Sequence, residues 1–294
     1  MTCYYPLEGF KKPGGGITWS PPSGYVDVKV VVPCGQCVGC RLERSRQWAV
    51  RIMHEAQLHE DNCFVTSTYD DEHLPADGSL NRRHFQLFMK RLRKRFRGVS
   101  YFHCGEYGDE NGRPHYHAIL MGCDFRDRVL WCTGPSGDPS YTSESLSVLW
   151  PYGLATVGDC SQKSAAYCAR YCLKKVNGDL AVEHYKRFDA NGVAYWLEPE
   201  YATMSTRPAI GKRWFEKFGS DVTGLDGVVV DGRVQRPPRY YDILRRRQDE
   251  MRMRRVKRKR VLRAMAHAKD QMPERLRDRE VVKLAQLGVL KRSV

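Results

Sequence analysis

The chain has 294 residues, with 49 Lys+Arg against 34 Asp+Glu and a formal net charge of +15. This is long enough for one large core or two modest ones, and the positive balance favours a polyanionic partner, foremost nucleic acid. No run reaches the ~18 consecutive apolar residues of a membrane span. Eleven cysteines, an odd number without an apolar leader, argue against a disulfide framework; reduced thiols, some on metal, and action inside a cell are expected.

In chain order, a Gly- and Pro-rich stretch (KKPGGG, WSPPSG) and a β-like run 26–32 lead to a cysteine cluster. Residues 41–60 carry Leu42, Trp48, Ile52 and Leu58 among charges, without breakers, which predicts an amphipathic helix. CFVTSTY, 63–69, reads as a strand. In 81–96, Phe85, Phe88, Leu92 and Phe96 recur at spacings of three or four, giving a second helix with a very basic face.

Two strands follow, VSYFHCGEYG and HYHAILMG, joined by DENGRP. Residues 124–150 show no clear period. A short strand, GLATVGD, precedes the helix SQKSAAYCARYCLKKV, with Ser161 as its candidate cap.

This order predicts an α+β fold, an antiparallel sheet flanked by helices. Residues 203–219 are expected to pack back on the sheet. Residues 240–269 read as one long charged helix, either contacting phosphates or a partner, or merely solvated. The expected organisation is a cysteine-rich lobe at 1–41, a central domain at 42–219, and a linker with a basic helical tail at 220–294.

Side chains two apart on a strand share a face. His115 and His117 therefore make a two-imidazole chelate, while Tyr116 faces the opposite layer. An HxH triplet alone also occurs as packing or hydrogen-bonding histidines. Glu106, folded back by the turn, would add a carboxylate; two nitrogens and one oxygen suit a divalent ion that polarises a phosphoryl oxygen, Mg²⁺ or Mn²⁺. Otherwise Glu106 is a strand-end carboxylate.

Tyr167 and Tyr171, at i and i+4, project from one helix face. Beside a metal-activated phosphate they offer transesterification; without one they are core or edge residues. Lys174 and Lys175 lie one turn on, placed to stabilise phenolate or phosphate.

Cys34, Cys37 and Cys40 form a C-x-x-C-x-x-C run, and Cys3 is the candidate fourth ligand of a structural Zn²⁺. An iron–sulfur cluster or free buried thiols are the other readings.

The ordered set CFVTSTY, HYH after a glutamate-bearing strand, and YCARYCLKK resembles the three motifs of the HUH endonucleases. Its Y-x-x-x-Y-x-x-K form resembles the two-tyrosine initiators of small single-stranded DNA phages. Cys3, PCGQCVGCRLERSRQWAVR and GEYGDENGRPHYH resemble the replication initiation proteins of gokushoviruses. The resemblance covers roughly residues 1–215; the basic tail matches in character alone.

The resemblance implies an RRM- or ferredoxin-like palm, metal-binding His115 and His117, and Glu106 as a third ligand. It further implies alternating nucleophiles Tyr167 and Tyr171, with Lys174 as the motif lysine. The implied activity is nicking of single-stranded origin DNA in the host bacterial cytoplasm through a 5′-phosphotyrosine, then rejoining to release a circle. Cys168 and Cys172 stand where aliphatic spacers are expected. Arg113, Arg170 and Lys175 are the candidate nucleic-acid contacts.

Without a Walker-type phosphate loop, helicase activity would come from the host, as would the polymerase. Two readings compete: a non-catalytic zinc-containing nucleic-acid-binding protein, and a nuclease that uses water.

Overall fold

A computed structural model describes residues 3–108, 111–134, 137–171, 175–176, 178, 180–230 and 232–289, with Tyr171 and Leu180 described by backbone alone. It divides into two compact units, residues 1–44 with 246–292 and residues 45–245.

In the first unit, β1 (Leu7–Lys11), β2 (Ile17–Thr18) and β3 (Tyr25–Val32) form an antiparallel sheet in the order β2-β1-β3. Val26–Val32 is thus the strand its β-branched run predicts. Helix α1 (Val38–Ala56) begins in this unit and continues into the second.

The second unit is built on a seven-stranded antiparallel sheet. Its strands are β4 (Asn62–Thr68), β5 (Ser100–Tyr107), β6 (Pro114–Met121), β7 (Arg128–Thr133), β8 (Pro139–Ser143) and β9 (Ala155–Asp159), completed by a strand from beyond residue 200. Helix α2 (Arg82–Arg95) starts at Asn81, whose side chain accepts from the Arg83 N–H at 3.0 Å. That bond satisfies one of the donors a helix start leaves open.

Helix α3 (Glu144–Ser147) follows β8, so the illegible stretch 124–150 holds two strands and a short helix. β7 is exposed along nearly its whole length, and without a buried face it has no alternation to read. Helix α4 (Gln162–Tyr171) is capped as expected, Ser161 Oγ accepting from Ser164 N at 3.1 Å. Helix α5 (Leu180–Tyr185) and the hairpin β10 (Lys186–Phe188) and β11 (Ala194–Trp196) come next. β12 (Tyr201–Met204) then pairs with β5, giving the strand order β12-β5-β6-β4-β9-β8-β7. The stretch 203–219 thus begins in the sheet itself.

Alternation along the central strands divides the interior. Cys63, Val65, Tyr116 and Leu120 face a layer that includes Phe85, Phe88 and Leu92 of α2, and Trp150. Phe102, Cys104, Ile119 and Met121 face Ala49 and Ile52 of α1, and Ala165 and Cys168 of α4. Each fully buried side chain of this size contributes about 1.5–3 kcal/mol.

A third cluster corrects the expectation of a linker from residue 220. Helix α6 (Lys212–Leu225), β13 (Val228–Val230), β14 (Arg233–Gln235) and helix α7 (Arg239–Gln248) supply Phe215, Val222, Val228, Val230, Tyr241 and Leu244, packed with Val50 of α1. These apolar residues are spread over short elements, none with a long period of its own. The charged stretch 240–269 is likewise not one helix: Asp249 interrupts it, its carboxylate accepting from Arg252 N at 2.8 Å to cap helix α8 (Glu250–Met265). Helix α9 (Pro273–Val289) follows, and in the first unit Tyr5 Oη donates to Glu280 Oε2 at 2.5 Å. None of the described helices is long and apolar enough to cross a membrane.

Candidate metal and nucleophile site

In the antiparallel ladder His115 stands opposite Glu106 on β5 and Thr68 on β4, and His117 opposite Cys104 and Thr66. Paired residues share a face, so one layer holds both histidines, the glutamate and two threonines. Tyr116 points away, donating to Asn81 O at 3.2 Å, and burial pushes its phenol up to about 12.

Both imidazoles are held from β4. Thr66 Oγ1 lies 3.1 Å from His117 Nδ1, and Thr68 Oγ1 3.1 Å from His115 Nδ1. A hydrogen bond at one ring nitrogen orients the ring and leaves the other nitrogen as the ligand. His117 Nε2 contacts Glu106 Oε1 at 2.8 Å, with both side chains nearly sealed from solvent. Two ligands on adjacent corners of an octahedron with ~2.1 Å bonds stand about 3.0 Å apart, so this pair fits one edge of a divalent-ion site. The donor atoms of His115, His117 and Glu106 do not all lie within 4.8 Å of one another. The His115 ring is turned toward Gly108, where an added Cβ would fall 2.9 Å from Nε2.

Helix α4 brings Tyr167 over this layer. Its ring centroid is 5.3 Å from that of His117 and 5.9 Å from Phe64, edge-on to both. One residue on, Cys168 Sγ lies 3.7 Å from His117 O and 3.6 Å from Cys104 Sγ. The spacer cysteine, expected as an aliphatic, therefore acts as a small buried residue that seats α4 on β5 and β6. Burial pushes the Cys104 thiol well above its ordinary range, with the Cys168 contact adding to the effect.

Among the candidate contacts, Arg170 is exposed with its guanidinium 5.9 Å from the Tyr167 ring centroid. Lys175 is exposed. Arg113 is engaged within the protein, donating to Tyr69 O at 2.9 Å and pairing with Asp71. The Tyr171 side chain and all of Lys174 lie outside the described residues. Sequence reasoning did not single out Thr66 and Thr68. The signal was available: T-S-T has the period of H-Y-H, and an antiparallel register lays one over the other.

In the first unit Cys3, Cys34, Cys37 and Cys40 bring their sulfurs within 4.8 Å of one another. Sγ–Sγ separations include 3.6 Å for Cys3–Cys34, 3.9 Å for Cys3–Cys37 and 4.0 Å for Cys34–Cys40. A tetrahedron of thiolates 2.3 Å from its centre has edges of about 3.8 Å, so the cluster is able to bind a metal such as zinc. Gly35, at φ 79°, makes the turn between Cys34 and Cys37. The N–H groups of Tyr4 and Cys34 donate to Cys37 and Cys3 sulfurs. Burial opposes ionisation of Cys37, yet the Tyr4 and Cys40 backbone donors hold it at about 7.

The stretch from β4 through Tyr167, with its threonine-held histidines, is the portion that defines the class: residues 62–176 match the family of replication-associated protein ORF2. The chain belongs to the replication-associated proteins of phages. It is 35% identical over 252 residues to the replication-associated protein VP4 of Bdellovibrio phage phiMH2K, covering 82% of this chain and 76% of that one. To replication-associated protein ORF2 of Spiroplasma virus 4 it is 35% identical over 246 residues, covering 78% and 72%. With replication-associated protein ORF4 of Chlamydia phage 1 it shares 31% over 238 residues, 76% of this chain and 56% of that protein. No solved structure matches the chain.

Proposed function

We propose that the protein initiates rolling-circle replication by nicking single-stranded origin DNA through tyrosine transesterification and rejoining the strand to release a circle. The observation that carries this reading is the joint placement of the 2.8 Å His117–Glu106 contact and Tyr167, whose ring centroid is 5.3 Å from that of His117.

His115, His117 and Glu106 would hold a divalent ion, Mg²⁺ or Mn²⁺, whose contribution when bound is to make the phosphorus more electrophilic. Thr66 and Thr68 keep both rings oriented. The Tyr167 hydroxyl attacks the phosphorus as it loses its proton. The new O–P bond forms, the P–O3′ bond breaks, and the 3′ oxygen leaves as a hydroxyl after taking a proton. The 5′ end stays on the tyrosine, which conserves the bond energy that hydrolysis would lose. Tyr171, one helical turn on, is the second nucleophile: it cuts after a round of synthesis, and the freed 3′ hydroxyl reverses the first step. Lys174 stabilises phenolate or phosphate, and Arg170 and Lys175 contact the backbone; Arg113, engaged with Asp71, would serve by holding the loop or by exchanging partners. A structural Zn²⁺ on Cys3, Cys34, Cys37 and Cys40 orders the first unit, and host helicase and polymerase complete the process in the host cytoplasm.

The test is a denaturing gel of 5′- and 3′-labelled single-stranded oligonucleotides incubated with the protein in Mn²⁺ or EDTA. A metal-dependent covalent adduct, lost only when Tyr167 and Tyr171 are both changed to Phe, is expected. Cleavage without an adduct would mean a nuclease that uses water. Binding with neither would leave the non-catalytic zinc protein, which shares the thiolate cluster and the basic charge.

A further inference from the structure

At the opposite end of β5 from Glu106 the second unit opens into a cavity of about 450 Å³. Four guanidinium groups line it: Arg93 and Arg97 from the end of α2 and beyond, Arg207 from the loop after β12, and Arg213 from the start of α6. Ser100 and Ser205 add hydroxyls, and among the described residues the lining holds no carboxylate. One of the four charges is committed: Arg213 donates to Glu55 Oε1 at 2.5 Å. Glu55 is buried, and its other oxygen accepts from Gly211 N at 2.8 Å.

The scaffold is fixed although the arginine tips are exposed. Tyr101 N donates to Ser205 Oγ at 3.0 Å and Ser205 N to Tyr101 O at 2.9 Å, tying the Arg207 loop to the first residues of β5. Several cations converging on one concavity repel one another, and an anion relieves that repulsion. The planar fork of a guanidinium matches two oxygens of a phosphate, with hydroxyls as further donors.

We propose that this cavity is a second phosphate-binding subsite, which grips the backbone of the DNA strand remote from the scissile phosphate. Ser100 and Glu106 are six residues apart on one strand, so the grip lies about 20 Å from the metal and nucleophile site at ~3.4 Å per residue. A hold at that distance positions the strand without taking part in the chemistry, as phosphate contacts do. The assignment to DNA rests on the nicking reading above; the phosphate chemistry does not.

The experiment is fluorescence anisotropy of a labelled single-stranded oligonucleotide in EDTA, where no cleavage occurs, over a range of salt concentrations. The proteins are wild type, the double variant Arg97→Gln/Arg207→Gln, and Arg187→Gln as a control at an exposed arginine outside the cavity. Circular dichroism melting establishes that each is folded. The double variant is expected to bind several-fold more weakly, with its log K against log salt slope reduced by about 0.7 for each phosphate it no longer grips. A neutral methylphosphonate oligonucleotide should abolish the difference between it and wild type.

Equal affinity and slope for wild type and the double variant would overturn the proposal, and so would an equal loss in the Arg187 variant. Calorimetric binding of inorganic phosphate that needs Arg97 and Arg207, while oligonucleotide affinity does not, would make this a free-anion site and overturn the strand assignment. If the wild type forms no tyrosine adduct but the double variant still loses oligonucleotide affinity, the nicking reading falls and the subsite stands.

Discussion

Glu106 and His117 meet across β5 and β6 through one contact, Oε1 to Nε2 at 2.8 Å, with their side chains 4% and 3% exposed. Glu106 does not face His117 in the register; its direct partner is His115, so the contact is diagonal. A buried carboxylate set against an imidazole, with Tyr167 alongside, is expensive unless the pair serves another group.

Changing His117 to Ala strands the Glu106 carboxylate in the interior and is expected to destabilise the second unit by about 3 kcal/mol. Glu106→Gln keeps the shape and should cost less stability while lowering metal-dependent adduct formation at least as much. Urea unfolding of both variants beside the adduct gel checks this; a Glu106→Gln protein with normal metal dependence would remove Glu106 from the ligand set.

Thr66→Val and Thr68→Val remove the hydroxyls that hold the two Nδ1 atoms. Loss of such an orienting partner typically lowers metal affinity or activity about 10–100-fold. Titrating adduct formation with Mn²⁺ should show the half-saturating concentration rising, with the far-ultraviolet spectrum unchanged.

Zinc on the four cysteines predicts one ion per chain, released by a thiol-reactive mercurial and measured with a colorimetric chelator. Cys37→Ser is expected to lower that stoichiometry and to raise proteolysis in 1–44. Retention of a full equivalent of zinc in the variant would exclude Cys37 as a ligand.

His54 is stacked 3.5 Å from the Trp214 ring and hydrogen-bonded to Tyr241 Oη at 2.9 Å, and burial pulls its pKa down to about 4. The folded state thus favours neutral imidazole. The stabilisation is complete above the unfolded value near ~6.5 and is lost as pH falls toward 4. About 2 kcal/mol should be gone by pH 5. His54→Gln should flatten that part of the stability profile; an unchanged pH slope would mean that other groups carry it.

Gly153, at φ 139°, has no room for a side chain: an added Cβ would fall 2.3 Å from Asp70 N and 2.6 Å from Thr68 O. Gly153→Ala must move backbone beside the residue that holds His115. A loss of more than about 2 kcal/mol is expected, from strain and overpacking together, measured as a shift in the urea midpoint.

Local chemistry alone determined much of this. The period of Phe85, Phe88 and Leu92 defines α2, period two in HYH places both histidines on one face, and i to i+4 spacing relates Tyr167 to Tyr171. The C-x-x-C-x-x-C run marked three thiols and Cys3 was the expected fourth; their convergence needed the fold, since 31 residues separate Cys3 from Cys34 and spacing sets no distance over such a length. The same limit hid Thr66 and Thr68, whose role exists only once β4 and β6 are in register. It also hid the cluster of Val50, Phe215 and Tyr241, and the convergence of Arg97 with Arg207. Periodicity reports the face a residue shares with its own element; which element that face meets is a free-energy decision of the whole chain, made by burial and pairing between residues far apart in sequence.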